Sequence, residues 1–334
     1  MNAEERMALI RRNTVELVTE GEIGQLLREK KRPVTYCGYE PSGEVHLGHA
    51  VTTTKLMDLA DAGFEVKVLL ADWHAFLNNK GDWDFINGTT KMWEKAFKKL
   101  GLKDAKFVLG SQFQMKEAYI ADLLTLCQRV TVNRGLRAMQ EVSRDIENAK
   151  VSQAVYPLMQ ANDIKHLGVD VAEAGIEQRK IHMLAREHLE GIGYRKPMFV
   201  HTPLINSLLG SGTKMSSSVP GTKMSSSDKG SLISVRDSTE EIKKKIARAY
   251  CPERAAENNP VLEIVQLVIF PRLENGKKAF EVRRPEKFGG DVAFSSYAEL
   301  HRAFAEGKLH PADLKAATAA YLAEIFAPVR EVFK

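Results

Sequence analysis

Long apolar runs are missing from this 334-residue chain. No stretch approaches the roughly 18 to 20 uninterrupted apolar residues that a membrane-spanning helix needs. The opening residues, MNAEERMALIRR, are charged where a secretory signal would carry its apolar core. The chain is therefore expected to stay in the cytoplasm, with no membrane partner. Cysteine is equally scarce. Cys37, Cys127 and Cys251 are too few and too scattered for a disulfide framework, and no CxxC pair or Cys/His cluster offers a metal site. All three read as plain thiols. Nor does one sign of charge dominate, because 48 basic residues face 43 acidic ones and leave only +5. An isoelectric point near 8.9 is compatible with a nucleic-acid partner without pointing to one.

What is present is the composition of a globular chain, 44% hydrophobic and 27% charged, at a length that suits two domains. Apolar positions at helical spacing over residues 3–30 predict two or three short helices. From Val34 the period changes, and strands alternate with helices for about two hundred residues. Strands are expected at 34–39, 66–71, 106–109, 169–172 and 199–205, and helices at 47–62, 85–100, 117–130, 151–167 and 177–190. That alternation predicts an α/β fold with a Rossmann-like parallel sheet, which binds ligands at the carboxyl ends of its strands. A Gly/Ser-rich loop, a strand at 232–235 and a charged helix at 239–249 follow, and mainly helical sequence runs to the end. The expected organisation is N-terminal helices over 1–32, a catalytic domain over 33–236 with a helical insertion at about 110–150, and a smaller helical domain over 237–334.

Two motifs carry chemistry. The first, Pro41-Ser42-Gly43-Glu44-Val45-His46-Leu47-Gly48-His49, lies where the first sheet strand hands over to its helix. Free backbone N–H groups and the helix dipole make an anion site there, and two histidines three residues apart add donors suited to a phosphate gaining charge. Two surface histidines beside a helix start would look the same. The second motif occurs twice: Gly212-Thr213-Lys214-Met215-Ser216-Ser217-Ser218 is followed, after Val219-Pro220, by Gly221-Thr222-Lys223-Met224-Ser225-Ser226-Ser227. A lysine among hydroxyls on such a loop can pair its ammonium with a leaving pyrophosphate. A solvated loop is the plainer alternative.

HLGH and KMSSS in this order resemble the paired motifs of class I aminoacyl-tRNA synthetases. The stretches YCGYEPSGEVHLGH (36–49), LLADWHAFLN (69–78), VYPLMQANDIKHLGVDVAEAGIEQRKIHMLARE (155–187) and RPEKFGGD (284–291) resemble the archaeal and eukaryotic tyrosyl branch over nearly the whole chain. The resemblance implies an enzyme that activates L-tyrosine with ATP and Mg²⁺ and transfers it to tRNA(Tyr), working as a homodimer with a C-terminal anticodon-binding domain. The tryptophanyl branch shares fold and motifs, and a non-catalytic RNA-binding paralogue is a further alternative. A small cofactor nucleotidyltransferase also has an HxGH site, but typically lacks the long amino-acid-binding helix and the C-terminal domain.

A tyrosine site must reward the phenolic hydroxyl, which both donates and accepts, whereas an indole N–H only donates. Asp163 and Tyr36 suit the hydroxyl, and Tyr156, Gln160 and Gln178 suit the ammonium and carboxylate. Tyr156, Gln160 and Asp163 fall at i, i+4 and i+7 on one helix. The resemblance implies that all five contact tyrosine, with Leu69, Ala71 and His74 lining the ring slot. It also implies His46, His49 and one loop lysine as catalytic residues, and Gly38, Glu40, Pro41, Gly48, Met224, Ser225 and Ser226 around ATP. Glu40 reads equally as a structural cap. Lys223 is the expected lysine, because its copy runs into Asp228-Lys229-Gly230-Ser231 as the family's motif does, and Lys214 to Pro220 then reads as an insertion. For tRNA, Arg137 and Arg179 match family positions near the first acceptor pair, Phe288 can stack on an anticodon base, and His310 with Asp313 can read base edges. The net charge is expected to concentrate around Arg137, Arg179, the Lys214 to Lys229 loop and the Lys243 to Arg248 helix.

Overall fold

The structure is a computed structural model and describes residues 1–141, 148–210 and 232–333. By packing, the chain divides into two compact units, residues 1–43 with 55–203 and residues 44–54 with 204–334.

The first unit is built on a six-stranded sheet. In chain order its elements are α1 (Ala3–Arg11), β1 (Glu16–Val18), α2 (Glu20–Glu29), β2 (Val34–Tyr39) and the later part of α3 (Leu47–Asp61). Then come β3 (Glu65–Leu70), α4 (Asp72–Leu77), α5 (Trp83–Lys99), β4 (Lys106–Leu109), α6 (Glu117–Arg129) and α7 (Val132–Met139). The unit ends with α8 (Val151–His166), β5 (Val171–Gly175), α9 (Arg179–His188) and β6 (Met198–Thr202). Strand order is β1-β6-β5-β2-β3-β4, with every pair parallel except β1 on β6. From β2 the chain steps outward to β3 and β4, then returns to place β5 on the other side of β2. That reversal puts the ligand crevice at the carboxyl ends of β2 and β5.

Local chemistry explains the elements. The Asp82 carboxylate caps α5 by accepting from the Phe85 amide at 2.8 Å, and Ile86, Thr89, Thr90, Trp93, Ala96 and Phe97 form its buried stripe at helical spacing. All five residues of β5 and all five of β6 are buried, as strands covered on both faces require. Gly135 lets α7 close on α8, since a Cβ there would lie 3.0 Å from the Ala154 carbonyl oxygen.

The second unit contains α10 (Thr239–Arg248), α11 (Pro260–Ile264), a π-helical turn at Val265–Ile269 and α12 (Phe270–Asn275). A hairpin of β7 (Phe280–Val282) and β8 (Val292–Phe294) follows, then α13 (Tyr297–Ala305) and α14 (Pro311–Arg330). Helix α14 buries Leu314, Thr318, Leu322, Phe326 and Val329 along one stripe. On α10 a capping box joins Ser238 to Glu241.

One expectation is corrected, the strand at 232–235, and two short β elements join the helices expected at either end of the chain. Residues 1–32 are not wholly helical: Glu16–Val18 is a strand, because Leu17 pairs across to Val200 on the open edge of β6. The strand expected at 232–235 reduces to a single bridge between Ser234 and His46. The C-terminal region carries the β7–β8 hairpin as well as helices. No helix among the described residues is long and apolar enough to cross a membrane.

Candidate active site

In the first unit the residues expected around an amino acid gather beside the carboxyl end of β2. Tyr36 is 2% exposed and sits opposite Ala172 of β5 in the register. Helix α8 presents Tyr156, Gln160 and Asp163 at i, i+4 and i+7, and its Tyr156 ring meets His74 edge-on at 4.6 Å between centroids. The Gln160 amide donates to Gln178 Oε1 at 3.2 Å, tying α8 to the turn that follows β5. Leu69, Ala71, Tyr36 and Tyr156 belong to one buried cluster.

Asp163 is the electrostatic centre of this group. It is fully buried, and its Oδ1 accepts from the Gln114 amide and from the Tyr119 hydroxyl, each at 2.8 Å. Its Oδ2 has no hydrogen-bond partner among the described residues. His74 Nε2 lies 3.6 Å from Oδ2 and is likewise unpaired. Burial pushes the Asp163 carboxyl up to about 7, with the charge on Asp72 adding to the rise while Gln114 and Tyr119 pull it back. Burial also drives His74 down to about 3, so the ring is neutral and the two groups form no ion pair at neutral pH. The Tyr36 hydroxyl is held protonated by burial and then by the charge on Asp163. The site therefore holds one carboxylate oxygen with no partner among the described residues, close to a neutral imidazole and within electrostatic reach of the Tyr36 hydroxyl. Gln114 and Tyr119 complete it, and the sequence carried no motif that would single them out.

Around the expected nucleotide positions the placements differ. Gly38 is exposed at the end of β2. A Cβ at Gly38 would meet Leu69 and Tyr36 only at ordinary distances of 3.7 Å, so the fold does not require glycine there. Glu40 accepts from Asn78 Nδ2 at 3.0 Å and lies 3.5 Å from Lys80 Nζ, which gives it a structural tie. Pro41 is buried.

In the second unit the HLGH turn is a tight construction. The His46 amide donates to His49 Nδ1 and the Gly48 amide donates to His46 Nδ1, both at 3.1 Å, and the two rings lie 3.8 Å apart. With each Nδ1 acting as acceptor, the neutral rings carry their protons on Nε2. Burial, followed by the neighbouring His46, lowers the His49 pKa well below the usual range, which keeps it a neutral donor. A Cβ on Gly48 would fall 3.0 Å from His46 Cε1, so the folded-back ring would have to give by a few tenths of an ångström to admit a side chain there. The Leu47 amide donates to the Ile233 carbonyl at 2.9 Å and the Val235 amide to the Val45 carbonyl at 3.0 Å. The chain leaving the second motif is thus bonded to the first one. Lys214, Lys223, Met224, Ser225 and Ser226 lie outside the described residues.

The expected RNA residues fall in both units. In the first, Arg137 is exposed on α7, and Arg179 opens α9 with its Nε donating to both oxygens of Glu16, at 2.8 and 2.9 Å. In the second, Phe288 is 61% exposed on the turn between β7 and β8, with Lys287 Nζ 4.9 Å from its ring centre. His310 caps α14 by accepting from the Ala312 amide at 3.1 Å, and Asp313 lies in that first turn. Arg284 donates to the carbonyls of Gly290 and Lys308, binding the Phe288 turn to the chain just before His310. On α10, Lys243 and Lys245 are already paired with Glu240 and Asp237, so the charge expected there is partly neutralised.

The opposite face of β5 carries a second buried acid, Glu173. Its Oε2 has no hydrogen-bond partner among the described residues, and burial raises it from 4.5 to about 8. A carboxyl raised in the folded state favours folding below its unfolded value, and that stability is lost as pH climbs through the folded value. Wild-type protein is therefore expected to lose up to about 1.4 kcal/mol per pH unit relative to Glu173→Gln between pH 5 and 8. Urea unfolding at three pH values measures this, and parallel curves would contradict it. Among the described residues no group of three or more His, Cys, Asp or Glu side chains is placed to hold a metal ion.

Residues 28–327 match the family described as tRNA synthetases class I (W and Y). The tyrosine–tRNA ligase of Methanoculleus marisnigri is 53% identical over 323 residues, 97% of either chain. That of Methanococcoides burtonii is 52% identical over 332 residues, covering 99% of this chain and 100% of its own. The crystal structure of tyrosyl-tRNA synthetase complexed with L-tyrosine from Archaeoglobus fulgidus superposes over the whole of both chains with a TM-score of 0.93 at 49% identity. A parallel sheet with its crevice at β2 and β5, an HLGH turn at a helix start and a match across 28–327 place this chain in the class I tRNA synthetases of the W and Y family.

Proposed function

We propose that the chain is a tyrosine–tRNA ligase: it activates L-tyrosine with ATP to tyrosyl-adenylate and pyrophosphate, then transfers the tyrosyl group to the 3′ end of tRNA(Tyr). The observation that carries this reading is Asp163, buried with Oδ1 accepting two hydrogen bonds and Oδ2 without a partner among the described residues, its charge acting on the buried Tyr36 hydroxyl. A phenol donates to that oxygen and accepts in return. Phenylalanine would leave it unpaired, and tyrosyl-tRNA synthetases are themselves the standing example of this principle. The relatives' names support the same substrate.

In the first step a tyrosine carboxylate oxygen attacks the α-phosphorus of MgATP, and the bond to the β-phosphate breaks to release pyrophosphate. No protein nucleophile is needed. Catalysis is positioning plus stabilisation of charge on the phosphates. Tyr156, Gln160 and Gln178 hold the amino-acid backbone, while Gly38, Glu40, Pro41, Gly48, Met224, Ser225 and Ser226 surround ATP. His46 and His49 donate Nε2–H to the phosphates, and Lys223 takes the pyrophosphate. The tRNA 3′ hydroxyl then attacks the tyrosyl carbonyl and displaces AMP. Arg137 and Arg179 meet the acceptor end, and Phe288, His310 and Asp313 meet the anticodon. On this reading residues 33–236 form the catalytic domain and 237–334 the anticodon-binding domain, working in the cytoplasm as a homodimer.

The test is ATP–pyrophosphate exchange with each of the twenty amino acids. Tyrosine-dependent exchange is expected, and exchange with tryptophan alone would overturn the reading. In the same assay Lys223→Ala is expected to slow exchange at least about tenfold more than Lys214→Ala, as loss of one charge-stabilising donor would. The reverse order would assign pyrophosphate to the first copy of the motif.

A further inference from the structure

Arg179 belongs to a closed ring of side chains drawn from three elements. It opens α9, and His182 lies one turn later on the same face. His182 Nδ1 and His201 Nε2 are 2.9 Å apart, and His201 Nδ1 is 2.8 Å from Glu16 Oε2. Glu16 returns to Arg179 Nε through both its oxygens. Glu16 and His201 are directly opposed in the β1–β6 register, and the Phe199 ring stacks on His182 at 4.4 Å. His182 and His201 are 1% and 0% exposed, whereas the Arg179 side chain is 48% exposed.

The proton arrangement follows from the acceptor at one end. A carboxylate only accepts, so His201 Nδ1 carries the hydrogen directed at Glu16. Burial lowers both histidines, leaving His201 Nε2 as an acceptor and His182 Nδ1–H as its donor. The hydrogen bonds then run one way, His182 to His201 to Glu16, and they fix the Glu16 carboxylate from its buried side. Glu16 takes only the Nε edge of Arg179. Neither terminal nitrogen of that guanidinium makes a hydrogen bond among the described residues, so the two-pronged face suited to a phosphate or to guanine O6 and N7 is left in solvent.

Resting on the reading of Arg179 as an acceptor-end contact, we infer that Glu16 is a positioning residue for tRNA recognition: anchored by the buried His182–His201 pair, it presents the terminal nitrogens of Arg179 to the first base pair of the acceptor stem. A flexible surface arginine would have to be ordered at each encounter, whereas one held by its Nε edge is already oriented.

The test uses the full chain, with tRNA transcripts carrying the native first pair or its exchanged form. Arg179→Ala is expected to raise the tRNA KM about tenfold and to weaken discrimination between the two transcripts, the effect of losing one bidentate contact. Glu16→Ala should raise that KM about fivefold with little change in kcat, and Glu16→Gln less, because its amide oxygen still accepts from Nε. Tyrosine-dependent ATP–pyrophosphate exchange by the two Glu16 variants should stay within about twofold of wild type, their lesion being confined to the tRNA step. The double variant Glu16→Ala/Arg179→Ala should be no worse than Arg179→Ala alone, because Glu16 acts only through the arginine. Additive losses in the double variant, or exchange falling together with charging, would make Glu16 a structural residue and overturn the proposal. Unchanged tRNA kinetics in Arg179→Ala would instead overturn the acceptor-end reading of that arginine and this inference with it, leaving tyrosine activation untouched.

Discussion

Replacing Asp163 with alanine is expected to lower kcat/KM for tyrosine in ATP–pyrophosphate exchange by about a thousandfold. On the proposed reading the substitution removes the acceptor for the substrate hydroxyl, and it strips the Gln114 amide and the Tyr119 hydroxyl of the oxygen they share. The substrate hydroxyl left unpaired in the buried pocket costs about 1–3 kcal/mol, and more where the lost partner was charged, while Gln114 and Tyr119 left without their acceptor loosen the pocket that holds the ring. Asp163→Asn keeps an oxygen for Gln114 and Tyr119 but turns an N–H toward the ligand, so it should fall between wild type and alanine. The raised carboxyl adds a pH signature. Ionised Asp163 is the better acceptor, so kcat/KM for tyrosine should climb with pH through about 7 and then level off, and Asp163→Asn should flatten that rise. A flat wild-type profile with a small alanine effect would remove Asp163 from substrate recognition.

His46→Ala should reduce kcat of exchange by about a hundredfold or more, with the tyrosine KM nearly unchanged, the expected loss for one donor aimed at charge that develops in the transition state. The geometry makes the damage larger than a missing side chain. His46 Nδ1 receives the Gly48 amide, and the His46 amide holds His49 Nδ1, so the second ring depends on the backbone that the first one shapes. His49→Ala should thus be damaging but less so than His46→Ala, and the double variant should fall short of the product of the two. Because His49 stays neutral, no loss of activity from its protonation is expected between pH 6 and 8. Steady-state exchange kinetics on the three variants decides this. A main effect on the tyrosine KM would instead place the histidines in amino-acid binding.

Much of this architecture was legible because it is periodic. The strand at Lys106–Leu109 stands where alternation placed it, and Tyr156, Gln160 and Asp163 share a helix face because 3.6-residue spacing puts them there. What escaped was short or distant. Glu16–Val18, Phe280–Val282 and Val292–Phe294 are three residues each, too brief to show a period, and they exist because a partner strand supplies their hydrogen bonds. The Gln114 and Tyr119 contacts to Asp163 span 49 and 44 residues, and the Arg179 contact to Glu16 spans 163. Nothing local marks either end of such a bond. The strand expected at 232–235 failed for the opposite reason. Its apolar residues are buried as a strand's would be, yet the Ile233 carbonyl and the Val235 amide bond to the turn at Leu47 and Val45, and the Ser234 amide to the Asp237 carboxylate, rather than to a sheet.

The small strand β1 bears on solubility as well as on recognition. Without it β6, five buried residues of an otherwise parallel sheet, would present an unpaired row of amides and carbonyls at the sheet margin. Such a margin is a template for another chain's strand. Pairing Glu16–Val18 to it in the antiparallel sense closes that side with the charged Glu16 and Arg179 at the surface. Loss of the N-terminal segment would thus invite edge-to-edge association of whole molecules, a defect of colloidal behaviour that would precede any defect of chemistry.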